Sequence, residues 1–441
     1  MNDNVKKIGF FSLVSIVIGS QIGSGAFVLP SVLAPFKTAG LLGWIVSVSG
    51  AISLALIFAE LASHLPRNGG PHVYVGKAFG RTASFYTAWL YWIISWASSS
   101  ILLVTTVNYL SIITGPLSST TKIIIESAIL FLITFINILG IKCASIISTI
   151  LTILKILPLT VLPVIFFMFF DPSHFKAPLK EIAENSDLLT ILSKTALLTF
   201  WGFIGVECAT APAESVNNPS KTIPRAIIIG TACVAAIYIF NTLSVIGVVG
   251  FEALEKTKAP YALVMGSIFP KYSDVAISIM AIIVCVGTLH AWTLTSGQIA
   301  YGAVSDGLFP KTFGKLNKAG APVLALLITA FGMIPFFILE EMDACRSGLE
   351  ELLDMMVSIF VVIYMLCSIA YIVFIKKWYK EKSKRIKSYL LAQFAITFCI
   401  FVLYQDILSS CVVLAIFIIL GIPVFWKNRH NIKLDNNNSL Q

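Results

Sequence analysis

The sequence predicts an all-α integral membrane protein of twelve transmembrane helices, and three observations carry that prediction. Of the 441 residues, 57% are hydrophobic and 12% charged, against about 25% charged in a soluble chain. Apolar runs long enough to cross a bilayer, about 18 residues or more, recur along the whole length. Two of those runs, the first and the sixth, carry glycines and polar residues in mid-span. A soluble multidomain reading would need many core helices with no polar face, and is discarded. The net charge of +9 does not point to a nucleic-acid partner, because the basic residues fall in short loops between apolar runs.

The spans are expected at roughly 8–34, 40–64, 83–114, 122–140, 145–170, 189–212, 223–250, 274–303, 321–339, 350–375, 386–404 and 407–426. Pro, Gly and charge separate them, as in Pro66 to Pro71, Asn217 to Lys221 and Lys311 to Pro322. The first span is too long for a cleavable signal and no small-residue cleavage site follows it. The tail 428–441 is polar and is expected to be disordered.

Orientation follows from lysine and arginine. With the N-terminus inside, 21 of the 31 basic residues lie in cytoplasmic segments, including the run Lys376 to Lys387. Both termini are then cytoplasmic.

In span one, Gly19-Ser20-Gln21-Ile22-Gly23-Ser24-Gly25 interrupts the apolar run. In lipid a freed backbone amide costs several kcal/mol, on the order of a lost hydrogen bond or more, unless protein or water satisfies it. Such a break is tolerated where it lines a cavity, and a half-helix N-terminus inside it attracts an anion. Close packing through Gly19 and Gly23 is the alternative. Span six repeats the feature in Thr199-Phe200-Trp201-Gly202-Phe203-Ile204-Gly205-Val206-Glu207-Cys208. Spans one and six correspond if the chain is two five-span units plus two extra spans, and because five is odd the second unit is inverted. Interrupted helices at matching positions of inverted repeats point to a transporter's central site.

At these residues the chain resembles the amino acid–polyamine–organocation superfamily, and within it the basic amino acid/polyamine antiporters. The motifs are Gly23-Ser24-Gly25, Trp201 through Glu207, Ala291-Trp292-Thr293-Leu294 with Gly297-Gln298, Asp306 to Pro310, and Asn317 to Gly320. The resemblance implies two inverted five-helix repeats, about 8–170 and 189–375, with helices one and six broken. Two extra helices follow at about 386–426. It implies a secondary transporter of the bacterial inner membrane, surrounded by lipid, that exchanges a cationic amino acid such as arginine for its decarboxylated amine, agmatine, or a related amine. It leaves a homodimer open and calls for no cofactor or metal.

The same resemblance implies the site. Ser24 and Gly25 would meet the substrate carboxylate and the carbonyl of Ile204 its α-ammonium, with Ile22 also in contact with the substrate. Trp201, Trp292 and Tyr91 would enclose it, with Ile94, Ser95 and Ser99 along its side chain. Glu207 and Tyr364 would serve gating. Ser99 and Leu102 depart from the residues an arginine carrier places there, and Met365 aligns with the gating tyrosine, with Tyr364 beside it. Physical alternatives stand beside each role. Trp44, Trp378 and Trp426 near span ends suit interfacial anchors, which mid-span Trp201 and Trp292 suit less. Glu207 is a carboxylate deep in a span, a functional candidate by default, or a structural hydrogen-bond acceptor. Lys155 lies within span five. It either serves proton coupling, making the protein a proton-coupled uptake carrier, or snorkels to the cytoplasmic face. His290, two residues before Trp292, either packs or joins the site, and His64 and His72 belong to the loop after span two. No nucleophile–base constellation or phosphate loop is visible, so an enzyme or sensor is a distant alternative. The eight cysteines include no CxxC pair and read as packing residues.

Overall fold

Apolar segments run back and forth in chain order, and the first and sixth are interrupted in their middles. The structure, a computed structural model, describes residues 8–175, 188–257, 259–269, 273–404 and 407–434, with the side chains of 343–355, 407–409 and 429–434 outside that description. Span one is two helices, α1 (Phe10–Gln21) and α2 (Gly25–Leu33). Span two is α3 (Lys37–His64), and a short α4 (Pro71–Phe79) precedes span three. Span three is α5 (Arg81–Ala97) and α6 (Ser100–Thr114). Spans four and five are α7 (Ser119–Ile138) and α8 (Ile141–Phe167). Span six opens with α9 (Leu188–Phe200) and then unwinds. Span seven is α10 (Pro219–Glu255), and a short α11 (Pro260–Ile268) leads to span eight, α12 (Ser273–Ser305). Spans nine to twelve are α13 (Val323–Glu340), α14 (Asp343–Trp378), α15 (Lys382–Leu403) and α16 (Ile407–Leu434). Among the described residues no strand forms; only isolated bridges Ile8–Val216 and Leu316–Pro322 occur.

The helices are built for lipid outside and polar contact inside. In α8, Ile146, Ile150, Ile153, Leu157, Val161 and Val164 are exposed at three- and four-residue intervals. Ser145, Ser148, Thr152 and Lys155 recur on the opposite face and are buried. One helix therefore presents branched apolar chains to hydrocarbon and small polar ones to its neighbours. The breaks of spans one and six sit at the middle of the bundle, with α1 against α8 and α10, and α12 against α6 and α8. α3 packs along α9 and α10. At Gly43 of α3 an added Cβ would lie 2.8 Å from Thr195, so only glycine lets α9 approach this closely. Ile8 ties the start of the described chain to the loop after span six: Ile8 donates to Ser215 (2.7 Å) and Asn217 to Ile8 (3.1 Å).

Three expectations meet the structure differently. α16 continues to Leu434, past the expected end of the last span. Lys427, Arg429 and Lys433 thus fall within this helix; residues 435–441 of the tail lie outside the described residues. Trp44 is no interfacial anchor: it is 2% exposed and stacks on Tyr238 at 5.3 Å. His72 is buried at the start of α4 rather than in a loop. Of the basic residues used for orientation, Lys6, Lys7, Lys176, Lys180, Lys258 and Lys271 lie outside the described residues, as do the side chains of Arg346, Arg429 and Lys433.

Candidate functional site

Ending a helix at bilayer depth leaves its last carbonyls without amide partners, and the fold supplies a donor for each. At the end of α1, Gly19 O accepts from Lys155 Nζ at 2.6 Å. Ser20 O accepts from the indole N–H of Trp292 at 3.1 Å. Gln21 O accepts from the Tyr238 hydroxyl at 3.2 Å. Ile22 O accepts from Lys155 Nζ (2.9 Å) and from the Thr288 hydroxyl (2.5 Å). Lys155 Nζ also donates to Thr288 Oγ1 at 3.0 Å. Three acceptors around one nitrogen is the geometry of an ammonium, which has three protons to give and no lone pair. The side chain is 0% exposed and turned inward, so Lys155 does not snorkel. Its charge sits at the negative end of α1, where the helix dipole favours a cation.

The opposite polarity appears one residue on. Ile22 is extended (φ −83°, ψ 102°) and α2 starts at Gly25 without a side-chain cap. Among the described residues the amides of Ser24 and Gly25 donate to nothing in the protein, and that of Gly23 meets the Tyr238 hydroxyl. Span six supplies the acceptors. After Trp201–Phe203, Ile204 is extended (φ −64°, ψ 129°) and its carbonyl takes no hydrogen bond among the described residues. Gly205 has φ +105°, and a Cβ there would lie 2.8 Å from Ser20 Oγ, so a side chain would wedge the two breaks apart. Ser20 Oγ reaches Gly205 O at 3.3 Å and joins them.

Between the breaks lies a cavity of about 70 Å³, room for on the order of five waters. Of the residues expected from sequence, Ser24, Gly25, Ser99, Trp201, Ile204 and Trp292 line it. Ile22 does not, because its carbonyl is turned to Lys155 and Thr288. Tyr91, Ile94 and Ser95 are also away from it. Tyr91 donates to Glu207 Oε1 at 2.8 Å, Ser95 pairs with Ser296 at 2.7 Å, and Ile94 is fully buried. Sequence reading missed Gln21, Tyr238, Thr288, Val357 and Phe360, which also line the cavity. Thr288 was accessible, since it lies four residues before Trp292 on the same helix face. Phe360 likewise lies one turn before Tyr364. Tyr238 sits in an apolar run with no sequence signal. The side-chain oxygen of Gln21 is buried without a partner. Among the described residues no charged side chain lines the cavity. The arrangement offers free N–H groups, free carbonyl oxygens and aromatic faces, with Phe360 tilted on Trp292 at 5.4 Å.

Two polar clusters lie beyond the cavity. Glu207 accepts from Tyr91 and, at 2.5 Å, from Tyr364; Tyr364 in turn accepts from the amide of Gly205 at 3.1 Å. One carboxylate thus ties spans three and ten to the break in span six. His290 is structural: its Nε2–H donates to Ala144 O at 2.8 Å, and Asn137 meets its Nδ1 at 3.3 Å. The second cluster centres on Asp306, after α12. Arg67 and His72 donate to its two carboxylate oxygens, His72 at 3.2 Å, and Arg81 donates to its carbonyl at 2.8 Å. Burial pushes the Asp306 carboxyl up, but the neighbouring His72, Arg67 and Arg81 outweigh it and hold it below the usual carboxylate range.

Known proteins show the same pattern over most of their length. The amino acid permease family profile matches residues 8–428. The cadaverine/lysine antiporter of Escherichia coli is 30% identical over 371 residues, 82% of this chain and 82% of its own. The putrescine transporter PotE of Haemophilus influenzae is 26% identical over 378 residues, 85% of this chain and 86% of its own. PotE of Escherichia coli is 26% identical over 373 residues, 84% of each. None of these names establishes the arginine/agmatine pair. With its two facing breaks and this full-length similarity, the chain belongs to the amino acid permease family of multi-pass membrane proteins, in the basic amino acid/polyamine antiporter branch of the amino acid–polyamine–organocation superfamily.

Proposed function

We propose that this protein exchanges a cationic amino acid for its decarboxylated amine by alternating access across a bacterial inner membrane. One observation carries the reading: the unbonded amides of Ser24 and Gly25 at the start of α2 face the same small cavity as the unbonded carbonyl of Ile204 and the indoles of Trp201 and Trp292. The amides suit a carboxylate, the carbonyl an ammonium, and the indoles a second cationic group, worth about 0.5–2 kcal/mol when desolvated. An amine lacking the carboxylate keeps the other contacts, so one cavity serves both partners of an exchange. Lysine with cadaverine is favoured by the names of the relatives. Arginine with agmatine remains the alternative, weakened by Ser99 and Leu102. Glu207 with Tyr91 and Tyr364 is the gate in this reading, since its phenols must part if spans three, six and ten move relative to one another. The lysine and arginine distribution supports both termini facing the cytoplasm.

Exchange is tested in proteoliposomes. Labelled lysine should enter only when the lumen holds lysine, cadaverine, arginine or agmatine, and uptake into empty vesicles would overturn the reading. Ser24→Leu fills the break and covers its amides. It should cost lysine more affinity than cadaverine, and equal losses would remove the carboxylate role. A second reading, uptake driven by a proton gradient, is favoured by the contacts of Lys155 with Gly19, Ile22 and Thr288, which tie span five to the break. A pH gradient that drives net uptake into empty vesicles would select it.

A further inference from the structure

A second and larger cavity lies apart from the central one, at the end of the bundle that carries the basic loops. Its volume is about 410 Å³, and it is walled by the ends of α3, α10, α14 and α15. Lys221 and Arg225 from the first turns of α10, and Lys387 from α15, converge on it. None of these three cations makes an ion pair or hydrogen bond among the described residues, whereas Lys122 is paired with Glu341 and Arg67 with Asp306. Ser63 and Ser220 add hydroxyls, and α10 begins without a side-chain cap. The remaining wall is apolar, from Leu56, Ile228 and Leu391; Ile228 is 36% exposed toward the lipid side and the neighbouring Leu390 65%. One carboxylate also lines the cavity. Glu60 is engaged there, accepting from the Tyr379 hydroxyl at 2.6 Å with His64 at 3.8 Å.

We propose that this cavity binds a phosphate-bearing anion, with Lys221, Arg225 and Lys387 as its charge partners and the apolar wall placing a phospholipid headgroup there rather than free phosphate. Three unpaired cations against one engaged carboxylate leave a net positive, partly enclosed space. Basic pockets between transmembrane helices on the cytoplasmic side suit anionic headgroups, and the serine hydroxyls suit phosphate oxygens. The apolar side chains continue to the exposed face of α15, so a ligand with acyl chains uses the whole wall. The leaflet named rests on the orientation proposed above; the site itself does not.

The experiment uses the full chain, purified in a neutral detergent and stripped of lipid. Short-chain phosphatidylglycerol, phosphatidylcholine and inorganic phosphate are titrated separately, with bound copies read by native mass spectrometry and the melting temperature followed in parallel. Phosphatidylglycerol should bind saturably and phosphatidylcholine should not. At about fivefold per surface charge, the triple variant Lys221→Gln, Arg225→Gln, Lys387→Gln should lose roughly hundredfold in affinity. Glu60→Gln should gain about fivefold, a change of opposite sign that general misfolding cannot mimic. Lys387→Arg should bind as wild type. Inorganic phosphate binding with the same charge dependence supports the anion site and assigns it to a free ion; phosphatidylglycerol alone assigns it to lipid. Equal binding of both lipids, binding unchanged in the triple variant, or weaker binding in Glu60→Gln would overturn the proposal. If the triple variant does not fold, Lys387→Gln with a loss and Glu60→Gln with a gain carry the same test.

Discussion

Replacing Lys155 with methionine tests how the break in span one is held open. The substitution keeps a linear apolar chain of similar length and removes three donors. Ile22 O retains the Thr288 hydroxyl at 2.5 Å. Gly19 O loses the only partner it has among the described residues. A buried acceptor left unsatisfied costs about 1–3 kcal/mol. Losing a cation at the C-terminal end of a helix adds up to about 2 kcal/mol in a buried geometry. The shape of the break that presents Gly23, Ser24 and Gly25 is therefore destabilised by about 1–5 kcal/mol. At roughly 1.4 kcal/mol per factor of ten, the middle of that range is a fall of about 100-fold in the competent state. Calorimetric titration with lysine should show a comparable loss of affinity, and the melting temperature in detergent should fall by a few degrees. Exchange at saturating substrate should survive in part, while any uptake driven by a pH gradient should vanish. A methionine variant that melts and binds like wild type would refute the account, because the Gly19 carbonyl would then have found another donor at no cost.

The remaining predictions follow from the same contacts. Trp292→Ala removes the donor to Ser20 O and an aromatic wall together, so transport of a cationic substrate should nearly vanish, with Trp292→Phe keeping part of it; wild-type binding by the Ala variant would take Trp292 out of the site. Gly205→Ala forces a Cβ at φ +105° to within 2.8 Å of Ser20 Oγ, and should cost about 1–3 kcal/mol, read as a lowered melting temperature and weaker binding; an unchanged variant would mean that spans one and six do not touch there. Asp306 is held below the ordinary aspartate value of 3.8, so its contribution to stability is fully present above that pH and is lost as pH falls through the depressed folded value. Asp306→Asn should therefore lower the melting temperature at pH 7, and the gap to wild type should close only below about pH 4; a gap that closes between pH 7 and 5 would assign the latch to another group.

Much of this molecule is set by one-dimensional information, because lipid imposes a rule that a sequence obeys locally. Every span must satisfy its own backbone and show hydrocarbon an apolar face, so run length and composition mark the helices. A break in that rule is equally visible: Gly19 to Gly25 and Trp201 to Glu207 stand out because polar groups at bilayer depth need a reason, and the structure places both at one cavity. Most of the residues that complete the breaks could not be read the same way. Tyr238 and Thr288 become ligands of α1's carbonyls only because α10 and α12 cross span one at the depth where it ends. Tyr91 resembles a substrate-facing aromatic in sequence, yet the packing of α5 turns its hydroxyl to Glu207. Lys155 had two readings, outward to the headgroups or inward to the break, and its own helix permits both. The choice is made by the carbonyls of Gly19 and Ile22, whose unmet hydrogen bonds at the end of α1 outweigh the hydration available outside. Chain composition determines which segments enter the membrane; which polar group meets which is decided by how the segments pack, since each unsatisfied atom must find its partner on another helix.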